Sequence, residues 1–223
     1  MTTSDVLTIT RPTDGDDAHR LIRRVINRHG TAMKTRPLLC HTERSDVWAN
    51  AWALPFRCGS FAQVRCLDVL ENVRDDEALV DELARVLAPG GRLLLRVPRA
   101  GPLAGLDPYN LYRYLVDITG RGNRSPEIDE LGWRRHYSLA EIDRVLGSGR
   151  FHVSHWATEG IGGEQLTTFG GMVLFRWWRH KEPSYERVAS LAERIGHVEA
   201  ALPAGRFGFS LTVEAVRRSA DRR

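Results

Sequence analysis

Lysine is almost missing from this 223-residue chain: Lys34 and Lys181 are the only two, and arginine supplies the other 30 of the 32 basic residues. That bias follows genome composition rather than a nucleic-acid footprint, because the arginines are spread along the chain and interleaved with 28 acids. No nucleic-acid partner is expected. Cysteine is scarce too. Cys40, Cys58 and Cys66 are odd in number and form no CxxC pair, which excludes a disulfide framework and a zinc site, so no metal is expected. No apolar run reaches the roughly 18 residues of a membrane span. The opening MTTSDVLTITRPTDGDD lacks the basic start and apolar core of a secretory signal, which makes a cytoplasmic location the default expectation. Repeats and low-complexity stretches are also absent.

What is present suits one soluble α/β domain. Hydrophobic residues make up 42%, enough for a core, and the net charge of +4 suits an anionic small molecule. Val6 to Thr10 reads as a first strand, followed by a helix from the Asp14–Asp17 cluster to about His29. Pro37 to His41, Asp46 to Trp48 and Ala62 to Val69 read as further strands. Glu77 to Leu87 carries a helical apolar stripe that Pro89, Gly90 and Gly91 should end, before a strand over Arg92 to Val97. Further on, the pattern predicts a helix from Pro108 to about Ile118, one over Ser138 to Leu146 with a capping box at Ser138 and Glu141, and a strand over Phe151 to Ala157. An aromatic segment follows at Phe169 to His180, then a helix over Ser184 to Ala201 and a final strand over Phe207 to Val216. Strands alternating with helices imply parallel crossovers.

Three motifs stand close together: AWALPFRCGSF at Ala51 to Phe61, LDVLENV at Leu67 to Val73, and RVLAPGGRLLLRV from Arg85 to Val97. In this order they resemble the class I S-adenosylmethionine (SAM) methyltransferase family, near its ubiquinone-biosynthesis-type members. The resemblance implies a Rossmann-like, mostly parallel sheet of the seven-strand type. It would be truncated between strands two and three, because His41 to Asp46 is too short for a helix. It also implies one domain over 1–223, with 99–137 and 158–205 as lid or insert segments.

The family places SAM over the carboxyl ends of the first strands, against a glycine-rich loop that lets the backbone come close. Here Thr8 stands where the first strand's acid belongs, and Thr10, Pro12 and Asp14 stand where glycines belong, leaving Gly15. Pro12 also removes a backbone donor. Glu43 is the candidate for the ribose-binding acid after the second strand, and Asn50 takes the place of the adenine-binding acid after the third. Ala51 and Leu67, which open two of the motifs, complete the implied cofactor contacts. With each polar contact worth roughly 0.5–3 kcal/mol, several altered positions weaken cofactor binding by on the order of a thousandfold.

Asp68 and His136 are the candidate catalytic residues. Asp68, at the end of the fourth strand, orients a substrate nucleophile or complements a helix N-terminus. His136, in WRRHY, is a general base or a partly buried histidine beside surface arginines. The tyrosines of DPYNLYRY at Asp107 to Tyr114 line an aromatic pocket or pack a lid, and FRWWRH at Phe175 to His180 suits a membrane surface, a homo-oligomer interface or a half-buried helix. Three functions compete. One is a methyltransferase-like protein acting on a small or lipid-like molecule. Another is a non-catalytic pseudo-methyltransferase acting as a binding or oligomerisation partner. The third is the same fold repurposed for other chemistry on a bound small molecule.

Overall fold

The computed structural model describes residues 6–10, 38–41, 46–50, 52–121, 134–147, 149–178, 182–199 and 204–219. The chain gathers into two compact units, one formed by 1–97, 139–157 and 212–223 and the other by 98–138 and 158–211.

The first unit carries a seven-stranded sheet in the order β3-β2-β1-β4-β5-β7-β6. Its strands are β1 (Val6–Thr10), β2 (Leu38–His41), β3 (Asp46–Ala49), β4 (Phe61–Leu67), β5 (Leu87–Pro98), β6 (Phe151–Glu159) and β7 (Ser210–Arg217). β1 runs parallel to β4, with Thr10 opposite Leu67, and β4 runs parallel to β5, with Leu67 opposite Arg96. The alternation in these sequences puts Leu7, Ile9, Val64, Cys66, Leu93, Leu95 and Val97 into the core.

β2 departs from the parallel pattern. It pairs antiparallel with both β1 and β3, with Thr8 opposite His41 and His41 opposite Asp46. The four residues between β2 and β3 are too few for a crossover helix, so the two strands form a hairpin. β3 therefore runs parallel to β1 and ends at the same edge as β1, β4 and β5, whereas β2 ends at the opposite edge.

Helix α1 (Asp76–Val86) begins where Asp75 accepts the Ala78 N–H at 2.9 Å, and it buries Leu79, Val80, Leu83 and Val86. The break comes earlier than the Pro-Gly-Gly punctuation suggests. Leu87 is already extended and pairs with Phe61, so Pro89, Gly90 and Gly91 lie inside β5 at a register shift. Gly90 has φ +75°, and a Cβ on Gly91 would stand 2.8 Å from the Ala88 carbonyl and 3.1 Å from that of Ala62. Helix α3 (Leu139–Gly147, with α2 described below) packs on α1 through Ile142, Val145 and Leu146.

In the second unit, α2 (Pro108–Thr119) is capped by Asp107 and stopped by Gly120 at φ +62°. Its Tyr112 and Val116 bury against Met172, with Tyr109, Phe169 and Phe175 around them. Helix α4 (Gly163–Gly171) runs into a π-helical stretch, Met172–Trp178, and α5 (Glu182–Glu199) packs on α4. Glycines permit the close approach. A Cβ on Gly163 would meet the Glu199 carboxylate and one on Gly196 the Glu164 carboxylate, each at 2.4 Å. Glu199, 6% exposed, accepts the Gly163 N–H at 2.7 Å and so caps α4 from its neighbour. The final strand starts at Ser210, after a 3₁₀ turn over Gly205–Phe207.

Candidate functional site

The carboxyl edge of the first unit's sheet brings together several of the residues singled out in the sequence. Thr10 and Leu67 are register partners there, Leu67 neighbours Arg96, and Asn50 follows β3 at the same edge. Thr8 sits two residues back along β1, half-buried like Thr10. Gly15, Glu43 and Ala51 lie outside the described residues. The argument for Glu43 rests on a second strand ending at this edge, and β2 ends at the other.

Asp68 is held in an unusual way. Its φ of +54° is the one positive value among the described non-glycine residues, a conformation that Asp tolerates better than most side chains. Its N–H donates to the Arg96 carbonyl at 3.0 Å, and its own carbonyl accepts from Asn72 Nδ2 at 3.0 Å. The Arg96 guanidinium donates to Asp68 Oδ2 through Nε at 3.1 Å and also through Nη2. The turn after β4 is thus tied to β5 by backbone and side chain together. Arg96 was hidden in the sequence because RLLLRV reads as a buried strand. Its position opposite Leu67 is what turns it to this edge.

Enclosed polar atoms near the edge that make no hydrogen bond among the described residues include Trp52 Nε1, just past β3, and Asn72 Oδ1, just past β4. Asn50 Oδ1 accepts the Trp52 N–H at 3.1 Å, which leaves the Asn50 amide nitrogen as a donor. An indole N–H and an amide N–H are donors of the kind that the acceptor nitrogens of an adenine ring take. At β1, Thr10 carries a side chain where the resemblance expects a glycine.

The LPF motif has a structural explanation. Arg85, in the last turn of α1, donates to the carbonyls of Leu54 and Phe56, both at 2.8 Å, and to the Glu82 carboxylate. Glu82 accepts the Leu54 N–H at 2.9 Å, and the hydrogen bond from Arg85 holds its carboxyl below the usual range. The thiols of Cys40 and Cys66 are buried and pushed up by that burial, Cys40 to about 12.

In the second unit, His136 Nε2 lies 3.4 Å from Asp107 Oδ2, and Arg134 Nη1 is also 3.4 Å from that oxygen. Asp107 Oδ1 accepts the N–H groups of Tyr109 and Asn110 at 3.0 and 3.1 Å. Burial works to raise the Asp107 carboxyl, but His136, Arg134 and the Asn110 N–H outweigh it and hold it below its ordinary value. The sequence reading placed DPYN on a lid helix and RRHY on a separate segment. The Asp-Pro pair before a helix is a cap-and-N1 signature, and a capping carboxylate is a natural partner for nearby cations.

Among the described residues, no three His, Cys, Asp or Glu side chains are grouped to hold a metal ion, and no helix is long and apolar enough to cross a membrane.

Comparison with known proteins bears on the first unit. The methyltransferase-domain family matches residues 23–95, a segment that begins after β1 and Gly15. The chain is 42% identical over 71 residues to a malonyl-[acyl-carrier protein] O-methyltransferase of Alcanivorax borkumensis, covering 32% of this chain and 21% of that one. It is 51% identical over 49 residues to a ubiquinone/menaquinone biosynthesis C-methyltransferase of Hahella chejuensis, covering 22% and 20%. A ubiquinone biosynthesis O-methyltransferase of Xanthomonas oryzae is 35% identical over 94 residues, covering 40% and 39%. The chain thus spans well under half the length of these relatives.

Proposed function

We propose that this chain, whose residues 23–95 match the methyltransferase-domain family, is a methyltransferase-like protein that binds SAM weakly, through an altered site, and acts on a small or lipid-like molecule. The observation that carries this reading is the carboxyl edge of the sheet, where Thr10, Leu67 and Arg96 align and the unpaired Trp52 Nε1 and the Asn50 amide stand after β3. Asn50 and Trp52 hold the adenine by donating to its ring nitrogens. Thr8 and Thr10 replace the acid and glycine of the first strand and weaken the grip there. Bound SAM supplies an activated methyl group.

Methyl transfer depends chiefly on positioning its two reactants. His136 is the residue we assign to take a proton, at its imidazole, from a hydroxyl or amine of the acceptor. Asp68 shapes the turn after β4 rather than moving a proton, because Arg96 already engages its carboxylate.

That same ion pair favours a second reading. A carboxylate tied to Arg96 is less available to orient a substrate, which suits a protein that keeps the fold as a binding or oligomerisation partner. The two readings separate when the protein is incubated with methyl-tritiated SAM and a panel of phenols, carboxylic acids and quinols. The first predicts a labelled product that depends on the protein and falls at least about a hundredfold in His136→Gln, the low end of what general-base help contributes. Absence of label across the panel, with folding intact, leaves the second.

A further inference from the structure

The sequence presents DPYN (107–110) and RRHY (134–137) as unrelated motifs, and in the second unit they make one site. Asn110 pins Arg134 from both sides of its amide: Nδ2 donates to the Arg134 carbonyl at 3.1 Å, and Oδ1 accepts the Arg134 N–H at 2.8 Å. Three residues on, Tyr137 donates its N–H to the Pro98 carbonyl and accepts from the Ala100 N–H, both at 2.8 Å. His136 is thus carried on a short span fixed at 134 and at 137. Its side chain is 15% exposed and its Nε2 faces a carboxylate only 4% exposed.

The chemistry of that carboxylate is constrained. Oδ1 is occupied by two backbone N–H groups, and Oδ2 by a guanidinium and the imidazole. Four donors around one carboxylate keep it ionised and acceptor-only, so it is not itself a proton carrier. An acceptor-only partner at Nε2 requires the proton of the neutral imidazole to sit on Nε2, which puts the lone pair on Nδ1.

We propose that Asp107 is the positioning residue of His136. It fixes the Nε2–H tautomer and the ring plane, and it directs Nδ1 to accept a proton from a hydroxyl or amine, with Asn110 holding the segment that carries the ring. This rests on the reading of His136 as the proton-accepting residue, but its test does not need methyl transfer.

The test is nitrogen-15 NMR of the histidine-labelled full chain at about pH 8.5, where an ordinary imidazole is neutral, with His136 assigned by loss of its signals in His136→Gln. The expected result is a single Nε2–H tautomer for His136, with an Nε2 proton visible in water. In Asp107→Asn, which retains a good capping side chain, that proton exchanges about tenfold faster or more, as expected for loss of a charge-assisted hydrogen bond. In Arg134→Gln it persists, because the carboxylate remains. An Nδ1–H tautomer in the unaltered protein overturns the proposal, and so does an exchange rate unchanged in Asp107→Asn. If Asp107→Asn does not fold, the unaltered protein's tautomer and Arg134→Gln decide alone. Failure of SAM to bind would leave these spectra as predicted, whereas a wrong tautomer would leave SAM binding untouched, so the two failures are distinct.

Discussion

Asp68 and Asp107 are both charged residues in constrained settings, but the constraints differ in kind. For Asp68 it lies in the backbone: with φ at +54°, any side chain other than glycine carries a steric cost there. Asp68→Gly and Asp68→Ala both delete the ion pair to Arg96, yet only the glycine relieves that cost. Urea unfolding should find the Ala variant less stable than the Gly variant by about 1 kcal/mol. Equal stabilities would contradict the left-handed assignment. For Asp107 the constraint is electrostatic. Its carboxyl titrates lower in the folded protein than in the unfolded chain, so the stabilisation it gives is fully present above the ordinary carboxyl value near 3.8 and is lost as pH falls through the lower, folded value. The stability gap between the unaltered protein and Asp107→Asn should therefore shrink as pH falls below about 4. Unfolding curves at several pH values check this. Of these two residues, the sequence exposed Asp68 through its place after a strand, and concealed Asp107 because the tyrosines beside it drew the reading towards packing. A capping carboxylate is recognisable from sequence, but its partners 27 and 29 residues away are not.

The elements were legible where periodicity is strong. The apolar stripe of α1 and the strand β4 appear within a residue or two of their places, because burial on one face writes the pattern directly, whereas β5 begins at Leu87, five residues before the expected Arg92. Three features escaped. The direction of β2 depends on a hairpin of four connecting residues, and a short apolar strand looks the same read either way. Pro-Gly-Gly looked like a turn ending the helix but is a kink inside β5, since the cue for a break does not say which side of it pairs. The π-helical stretch Met172–Trp178 has no sequence signature that separates it from an ordinary helix. The kink makes a paired prediction. Gly90→Ala meets open space and costs only its backbone conformation, about 1 kcal/mol. Gly91→Ala drives a Cβ against the carbonyls of Ala88 and Ala62 and should cost more, about 1–3 kcal/mol. Thermal unfolding of the two variants gives the order, and a larger loss in Gly90→Ala would count against the register shift.

At the scale of the whole molecule, the family resemblance and the topology converge on the same half of the chain. Residues 23–95 match the methyltransferase domain, and the strand order β3-β2-β1-β4-β5-β7-β6 places Asn50, Thr10, Asp68 and Arg96 along one edge. In the reading proposed above, the altered cofactor contacts fall at β1, while the LPF loop, α1 and β5 are held by internal bonds such as the Arg85 fork. That division makes cofactor affinity the quantity that decides the function. The direct measurement is isothermal titration of the purified chain with SAM and with S-adenosylhomocysteine. Saturable binding of at least one of them, with a dissociation constant between about 1 μM and 1 mM, is the predicted result and corresponds to roughly 4–8 kcal/mol from a partly retained site. No heat of binding from either ligand at millimolar concentration would contradict it.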